Sequence, residues 1–530
     1  MVSLTSDHSA HTALPRSVPR ARIGIQGLDQ VLGGGLPRDH LYLIDGHPGT
    51  GKTTLALQFL LEGSAAGEQG LYVTLSETAD ELRATAESHG WTLEGIEIFE
   101  LAAADEANSE TYTLFHPAEI ELSRTVETVL AVVERVAPMR VVFDSLSEMR
   151  LMARDALRFR RQILALKQFF VGRGCTVLLL DDRSAPDGDR HLHSIAHGVV
   201  SLEHLAMEYG AERRRLQVAK LRGLQFRGGY HDFRIRTGGL DVFPRILSEG
   251  RPQQTLGEEL PSGSPELDDL IGGGLPVGTS TLITGAAGTG KSVLATQYAR
   301  AAVASGSRVR YYLFDERVPT FLHRAEKLGM HVADAVADGR LTLRQIEPTA
   351  MSPGEFADEI RSAVEEDDVR LVIIDSINGY MQAMPSERLL AVQVHELLSF
   401  MADHGVSTIM TLVQHGIFGA PVDEAAEVSY LADTVILLRY FEHTGAVRQA
   451  ISVVKKRAGQ HERAIRECRV GPGGFRVGAP LAAFQGVLAG VPTYKGGPEP
   501  LMAISMPDGE APTDMPNDSL RPRPSAARSE

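Results

Sequence analysis

The chain has 530 residues, 43% of them hydrophobic and 23% charged, with a net charge of −15. That length accommodates two large domains with cores of their own, and no apolar run is long enough to span a bilayer. The acidic balance argues against a protein whose main task is to grip nucleic-acid phosphates. Met1–Arg20 is polar and interrupted by proline, without the apolar core of a signal peptide. Cys175 and Cys468 lie in opposite halves with no metal-ligand spacing, and read as buried free thiols of a cytoplasmic protein.

Taken in chain order, residues 1–20 read as a disordered arm. A first unit, 21–247, alternates apolar β-rich runs with helical patterns, which predicts an α/β fold with a mostly parallel sheet flanked by helices. Its strand Leu41–Asp45 feeds Gly46-His47-Pro48-Gly49-Thr50-Gly51-Lys52-Thr53, a complete GxxxxGK[ST] P-loop. The next strand, Leu71–Leu75, leads to Glu77, and Val141–Phe143 ends at Asp144. Thr176–Leu180 follows, and the unit closes with the basic cluster Lys220-Leu221-Arg222.

Residues 248–258 are polar and contain proline, as a linker does. The second unit, 259–495, repeats the pattern. Strand Thr281–Thr284 feeds a second P-loop, Gly285-Ala286-Ala287-Gly288-Thr289-Gly290-Lys291-Ser292. Arg310–Phe314 leads to Asp315-Glu316, Leu371–Ile374 ends at Asp375, Ser407–Leu412 follows, and Lys455-Lys456-Arg457 is the basic cluster. Residues 496–530 read as a disordered tail. The P-loop lysines are 239 positions apart (291 less 52), and the same offset carries Asp29 onto Asp268, Pro37 onto Pro276 and Glu77 onto Glu316. A constant offset over four landmarks marks a duplicated unit.

The chemistry follows from residue type and position. P-loop glycines let backbone N–H groups turn inward around phosphates, and the following helix adds its positive end. Gly46, Gly49, Thr50, Gly51, Gly285, Gly288, Thr289 and Gly290 are therefore expected to cradle ATP, with Lys52 and Lys291 on the β- and γ-phosphates. Thr53 and Ser292, with Asp144 and Asp375, are the expected Mg²⁺ site. A strand-end Asp also serves as a helix cap, but recurrence 84 to 92 residues after both P-loop lysines (375 less 291; 144 less 52) favours the metal. Glu77 and Glu316 are placed to deprotonate an attacking water, with Asp315 as a second acid where the first unit has Ser76. Lys220 with Arg222, and Lys455 with Arg457, share a strand face by period-2 alternation. They are either the charged guard of an edge strand or fingers offered to a neighbouring subunit's nucleotide.

Together these residues resemble the KaiC family of double-domain ATPases in the RecA-like superfamily. The match also rests on Gly27-Leu28-Asp29, Gly34-Gly35-Leu36-Pro37, Gly273-Gly274-Leu275-Pro276, Phe143-Asp144-Ser145, Ile374-Asp375-Ser376 and Asp433-Thr434-Val435-Ile436-Leu437-Leu438. The stretch from Leu114-Phe115-His116-Pro117 to Asp181-Asp182 resembles the family's members outside the cyanobacteria. The resemblance implies a homo-oligomer, a hexameric double ring with ATP held between subunits, and assigns Lys220, Arg222, Lys455 and Arg457 to the trans-acting basic strand. The family's acidic pair is matched fully by Asp315-Glu316 and in part by Ser76-Glu77. Its Ser-Thr phosphorylation pair falls on Ser429-Tyr430, so Ser429 is a candidate phosphoacceptor, against the alternative of a turn residue. Glu424 and Glu427 supply fixed negative charge nearby, and the tail does not resemble the segment that recruits the clock protein's activating partner. The expectation is an ATP hydrolase with serine autokinase capacity, acting as a signalling or timing switch on protein partners. A DNA-acting recombination or helicase ATPase is the alternative, kept open by Arg158-Phe159-Arg160-Arg161 and Arg213-Arg214-Arg215. A nucleotide-gated scaffold is the third.

Overall fold

The structure, a computed structural model, describes residues 19–101, 117–153, 155–183, 190–206, 210–248, 250, 257–382, 390–414, 429–488 and 493–495. The arm to residue 18, most of the 248–258 linker, the 496–530 tail, Leu114–His116, Glu424 and Glu427 lie outside the described residues.

The first domain is built on β1 (Leu41–Gly46), β2 (Gly70–Thr74), β3 (Ile96–Glu100), β4 (Arg140–Asp144), β5 (Thr176–Asp182), β6 (Gly198–Leu205), β7 (Arg213–Leu221), β8 (Tyr230–Arg236) and β9 (Gly239–Phe243). They form one sheet in the order β9-β8-β7-β6-β1-β5-β4-β2-β3. Strands β1 to β6 pair in parallel, and β6 to β9 extend the sheet in antiparallel hairpins. The second domain has β10 (Ser280–Gly285), β11 (Arg308–Leu313), β12 (Leu341–Gln345), β13 (Val369–Asp375), β14 (Ser407–Val413), β15 (Thr434–His443), β16 (Ala446–Lys456), β17 (Arg466–Gly471) and β18 (Gly474–Pro480). Its sheet order is that of the first domain with every number raised by nine. The duplication in sequence is thus a duplication of topology.

The central strands are apolar throughout because both faces are covered, as parallel sheets require. In the first domain Tyr42, Ile44, Tyr72, Val142 and Leu178 pack on one face, and Leu41, Leu43, Val141, Phe143 and Val177 on the other. The second domain divides in the same way. Five helices matter below: α1 (Lys52–Ala65), α2 (Leu146–Ala153), α3 (Lys291–Ala304), α4 (Pro353–Glu365) and α5 (Leu390–Asp403).

The strands stop short of the acids expected to end them. β2 finishes at Thr74 and β11 at Leu313, so Glu77 and Glu316 stand on the following loops. In the first domain Thr74 Oγ1 turns the chain by accepting from Glu77 N–H at 3.0 Å and donating to Glu77 C=O at 2.7 Å. The landmark acids Asp29 and Asp268 prove structural: Asp29 accepts the Ile23 and Gly24 N–H groups, and Asp268 that of Ser262. Cys175 and Cys468 are free and buried, one in each domain. Among the described residues no helix is long and apolar enough to cross a membrane.

The domains touch through the end of the first sheet. Ile246 is buried within the second domain's core. Arg234 and Arg236 hold Glu355 at the start of α4, at 3.0 and 2.6 Å, and Asp232 accepts the Gly354 N–H. Arg245 grips both carboxylate oxygens of Glu396 on α5.

Candidate functional site

Each P-loop leaves the carboxyl end of a central strand and enters a helix through a glycine in the left-handed region, Gly51 and Gly290, both at φ 96°. L side chains avoid that conformation. Neither helix has a side-chain cap, so the N–H groups of its first turn remain for an anion. Thr50 and Thr289 brace the loops by donating to His47 and Ala286 carbonyls, each at 2.8 Å.

Lys52 is buried, and its Nζ donates to Gly46 O at 2.9 Å and His47 O at 3.1 Å. Lys291 donates likewise to Gly285 O and Ala286 O. Burial lowers the Lys291 ammonium to about 8, with Asp375 opposing the shift. The two lysines differ in one partner. Lys52 Nζ lies 2.7 Å from Asp182 Oδ1.

Asp144 and Asp375 end β4 and β13, each separated from its P-loop strand by one interposed strand. Thr53 Oγ1 donates to Asp144 Oδ2 at 3.3 Å, bringing together the two first-domain residues expected on Mg²⁺. Tyr72 OH also donates to Asp144, and Tyr311 OH and Thr411 Oγ1 to Asp375. Burial raises the Asp144 carboxyl, against the hydrogen bonds from Tyr72 and Thr53. A hydroxyl beside a carboxylate is a hard-oxygen donor set with few protein ligands, which suits Mg²⁺ bound together with nucleotide phosphates. The residues fit the ion.

The acids in front of the P-loops are handled differently. Glu77 is raised by burial and by the charges of Asp144, Glu81 and Asp182. Glu316 is clamped by Arg324 at 3.2 and 2.7 Å. Asp315 accepts from Ser376 Oγ at 2.6 Å, while Ser76 is exposed.

The basic strand residues stand away from their own P-loops. Lys220 donates to His193 and Ala196 carbonyls, and Arg222 to Ser194 O at 2.7 Å. Lys455 donates to Ser429, Tyr430 and Ala432 carbonyls, and Arg457 to Tyr430 O and Asp433. The two clusters are equivalent, so Ser429 occupies the place that His193 takes in the first domain. There, His193 Nε2 lies 2.9 Å from Asp45 Oδ2 beside the P-loop. Of the two arginine clusters that kept a DNA-acting reading open, the second carries counter-charges: Arg213 faces Asp232, Arg214 Glu212 and Arg215 Glu203.

Sequence reasoning missed Asp182 as a site residue, and also Arg324, Tyr72 and Tyr311. Asp182 lies where the 239 offset no longer holds. From Asp144 to Asp182 the offset to the second domain is 231 (375 less 144), which carries Asp182 onto Val413 and Ser147 onto Asn378.

A parallel sheet with a P-loop on its central strand and an acid two strands away makes each half a RecA-like P-loop ATPase domain. The chain belongs to the KaiC family of ATPases, whose family model matches residues 21–246 and again 260–482. It is similar to circadian clock protein KaiC3 of Synechocystis sp., 26% identical over 487 residues, covering 90% of this chain and 95% of the relative. Circadian clock oscillator protein KaiC of Synechococcus elongatus is 26% identical over 497 residues, 92% of this chain and 94% of the relative. The KaiC of Parathermosynechococcus lividus is 25% identical over 496 residues, 92% and 90%.

Proposed function

We infer that the protein hydrolyses ATP in both domains of a homohexameric double ring, with each nucleotide held between subunits, and serves as a signalling or timing switch read by protein partners. The observation that supports hydrolysis most directly is the placement of Glu77, half-buried and raised, on the loop after β2 within electrostatic reach of Asp144 and Asp182, the carboxylates that contact Thr53 and Lys52. Lys52 and Lys291 would bind the β- and γ-phosphates, and Thr53 with Asp144, and Ser292 with Asp375, would hold Mg²⁺. That ion, when bound, offsets phosphate charge as it shifts to the leaving group. Glu77 or Glu316 takes the proton as a water oxygen bonds to the γ-phosphorus. The bond from that phosphorus to the β–γ bridging oxygen breaks, and its electron pair leaves with ADP.

Lys220, Arg222, Lys455 and Arg457 would serve the neighbouring subunit's phosphates. Their engagement with backbone carbonyls ties each to the segment before β6 or β15, so a neighbour's nucleotide would pull on that segment. In the second ring this segment holds Ser429. Its hydroxyl could attack the same γ-phosphorus, giving a phosphoserine and ADP, with the proton passing to Glu316. With Tyr430 at the clock threonine's place, ordered two-site cycling as in the clock is not expected.

The deciding experiment is Mg²⁺-dependent ATP turnover by the full chain. Turnover that disappears in the Glu77→Gln/Glu316→Gln double variant supports the reading, and turnover that survives it refutes it. Intact-mass analysis after incubation with Mg·ATP separates the kinase component: one added phosphate, lost in Ser429→Ala, is expected. Mass unchanged while ATP is consumed removes the kinase and leaves the ATPase.

A further inference from the structure

Asp182 and its surroundings differ between two sites that are otherwise copies. It is the last residue of β5, paired in register with Gly46, the first residue of the P-loop. The corresponding pair in the second domain is Val413 with Gly285. An acid has been placed in one copy at a position where the other has an aliphatic side chain. It is not a loose surface charge. Oδ1 stands 2.7 Å from Lys52 Nζ, and Ser147 on α2 bonds both Oδ2, at 3.3 Å, and the Asp182 N–H, at 3.1 Å. Asn378 does the equivalent work in the second domain but bonds only the Val413 backbone.

The same comparison reveals a second difference with the opposite sense. The second domain carries Asp315 ahead of Glu316, and the first has Ser76 ahead of Glu77. The first site has one acid fewer on the loop after β2 and one more at the end of β5. We propose that Asp182 is the second acid of the first nucleotide site, supplied from a different strand than its counterpart Asp315. The proposal rests on the ATPase reading above.

The P-loop lysine marks where the γ-phosphate goes, so a carboxylate 2.7 Å from it is at that phosphate's edge. Before ATP binds, Asp182 holds Lys52 in place and balances its buried charge. Once a phosphate oxygen takes over the ammonium, the Asp182 carboxylate needs another donor. It cannot approach the anionic phosphate directly, and a water between the two satisfies it. That water donates one O–H to Asp182 and yields its other proton to Glu77 as its oxygen bonds to the γ-phosphorus. ADP leaves with the electron pair of the broken bond, and Asp182 ends ionised as it began. Two acids on one water restrict its rotation, which is the orientation a hydrolase needs.

The test uses the full chain in a Glu316→Gln background, so that turnover reports the first site, with a fluorescent non-hydrolysable ATP analogue for affinity. Asp182→Val, which copies the second domain, is expected to lower kcat by about 10- to 100-fold while analogue affinity holds or tightens. Adding Ser76→Asp to that variant is expected to restore most of the lost rate, because it returns the acid to the position used by the second domain. Unchanged kcat in Asp182→Val overturns the proposal. So does a parallel loss of kcat and affinity, or a loss that Ser76→Asp leaves unrepaired while the melting temperature is kept, since Asp182 would then only shape the loop. Absence of turnover in the Glu316→Gln parent itself would count against the ATPase reading of the first domain, a separate failure.

Discussion

Ile235 lies directly under Gly51: a methyl group on that glycine would stand 2.7 Å from Ile235 Cδ1. The turn opening the first P-loop helix therefore rests on β8. Strand alternation sends the neighbours Arg234 and Arg236 to the other face, where both hold Glu355 of the second domain. One strand supports a phosphate loop and ties the two domains together. Glu355→Ala leaves two facing arginines without their shared anion and removes an acid from the first turn of α4. With the arginines half exposed, the loss is about 1–2 kcal/mol. Calorimetry should resolve the domains into more separated unfolding transitions, and an endotherm identical to that of the parent would contradict this.

The two general bases should contribute unequally. Arg324 pairs with both oxygens of Glu316 and must release one before that oxygen can take a proton from water, whereas Glu77 is raised by burial and by the acids around it. Glu77→Gln should lower first-site turnover by about 100-fold and remove the larger share of total activity. Glu316→Gln should remove the smaller share. Steady-state rates of the two single variants decide it, and a reversed ranking would be evidence against the argument.

Arg140 is the largest buried cation of the first domain, 2% exposed, and bonds Glu68 at 2.5 Å and the carbonyls of Arg22 and Phe59, each at 2.6 Å. Removing one member of such a pair strands the other charge. Glu68→Ala is expected to cost about 3–5 kcal/mol, read as the urea midpoint of the first domain. A change of less than about 1 kcal/mol, the range of surface ion pairs, would mean that the site rehydrates.

His197 supplies a pH dependence. Burial, then the neighbouring His40, Arg222 and Lys167, lower its imidazole to about 4 from an ordinary 6.5. Between those values the unfolded chain binds a proton that the folded chain refuses, so stability falls as pH drops from 6.5 towards 4. Above 6.5 the residue contributes no slope. Melting temperatures across this window should flatten in His197→Asn, and an unchanged slope would assign the acid sensitivity elsewhere.

Much of this was legible in the chain because nucleotide chemistry is local: eight consecutive residues make a P-loop, and a strand-end Asp follows from the apolar run before it. The constant offset from Asp29 to Glu316 exposed the duplication. What stayed hidden depends on strand order. Asp182 is 130 residues from Lys52 (182 less 52) and meets it only because β5 lies beside β1. Arg324 reaches Glu316 because the helix Val318–Lys327 follows the loop after β11 and turns that guanidinium back towards the loop. Asp29 and Asp268 drew notice as repeated acids, yet their carboxylates are spent on backbone N–H groups, a role that residue type alone does not separate from chemistry.

The burial of Cys175 and Cys468 has a practical corollary. Burial pushes the Cys175 thiol up to about 12 and Cys468 higher still, so in the folded state both are poor nucleophiles. Each domain carries one such thiol and the chain no others. A thiol-reactive dye therefore records the opening of each half separately, and peptide mapping of the first labelled cysteine identifies which half opens first.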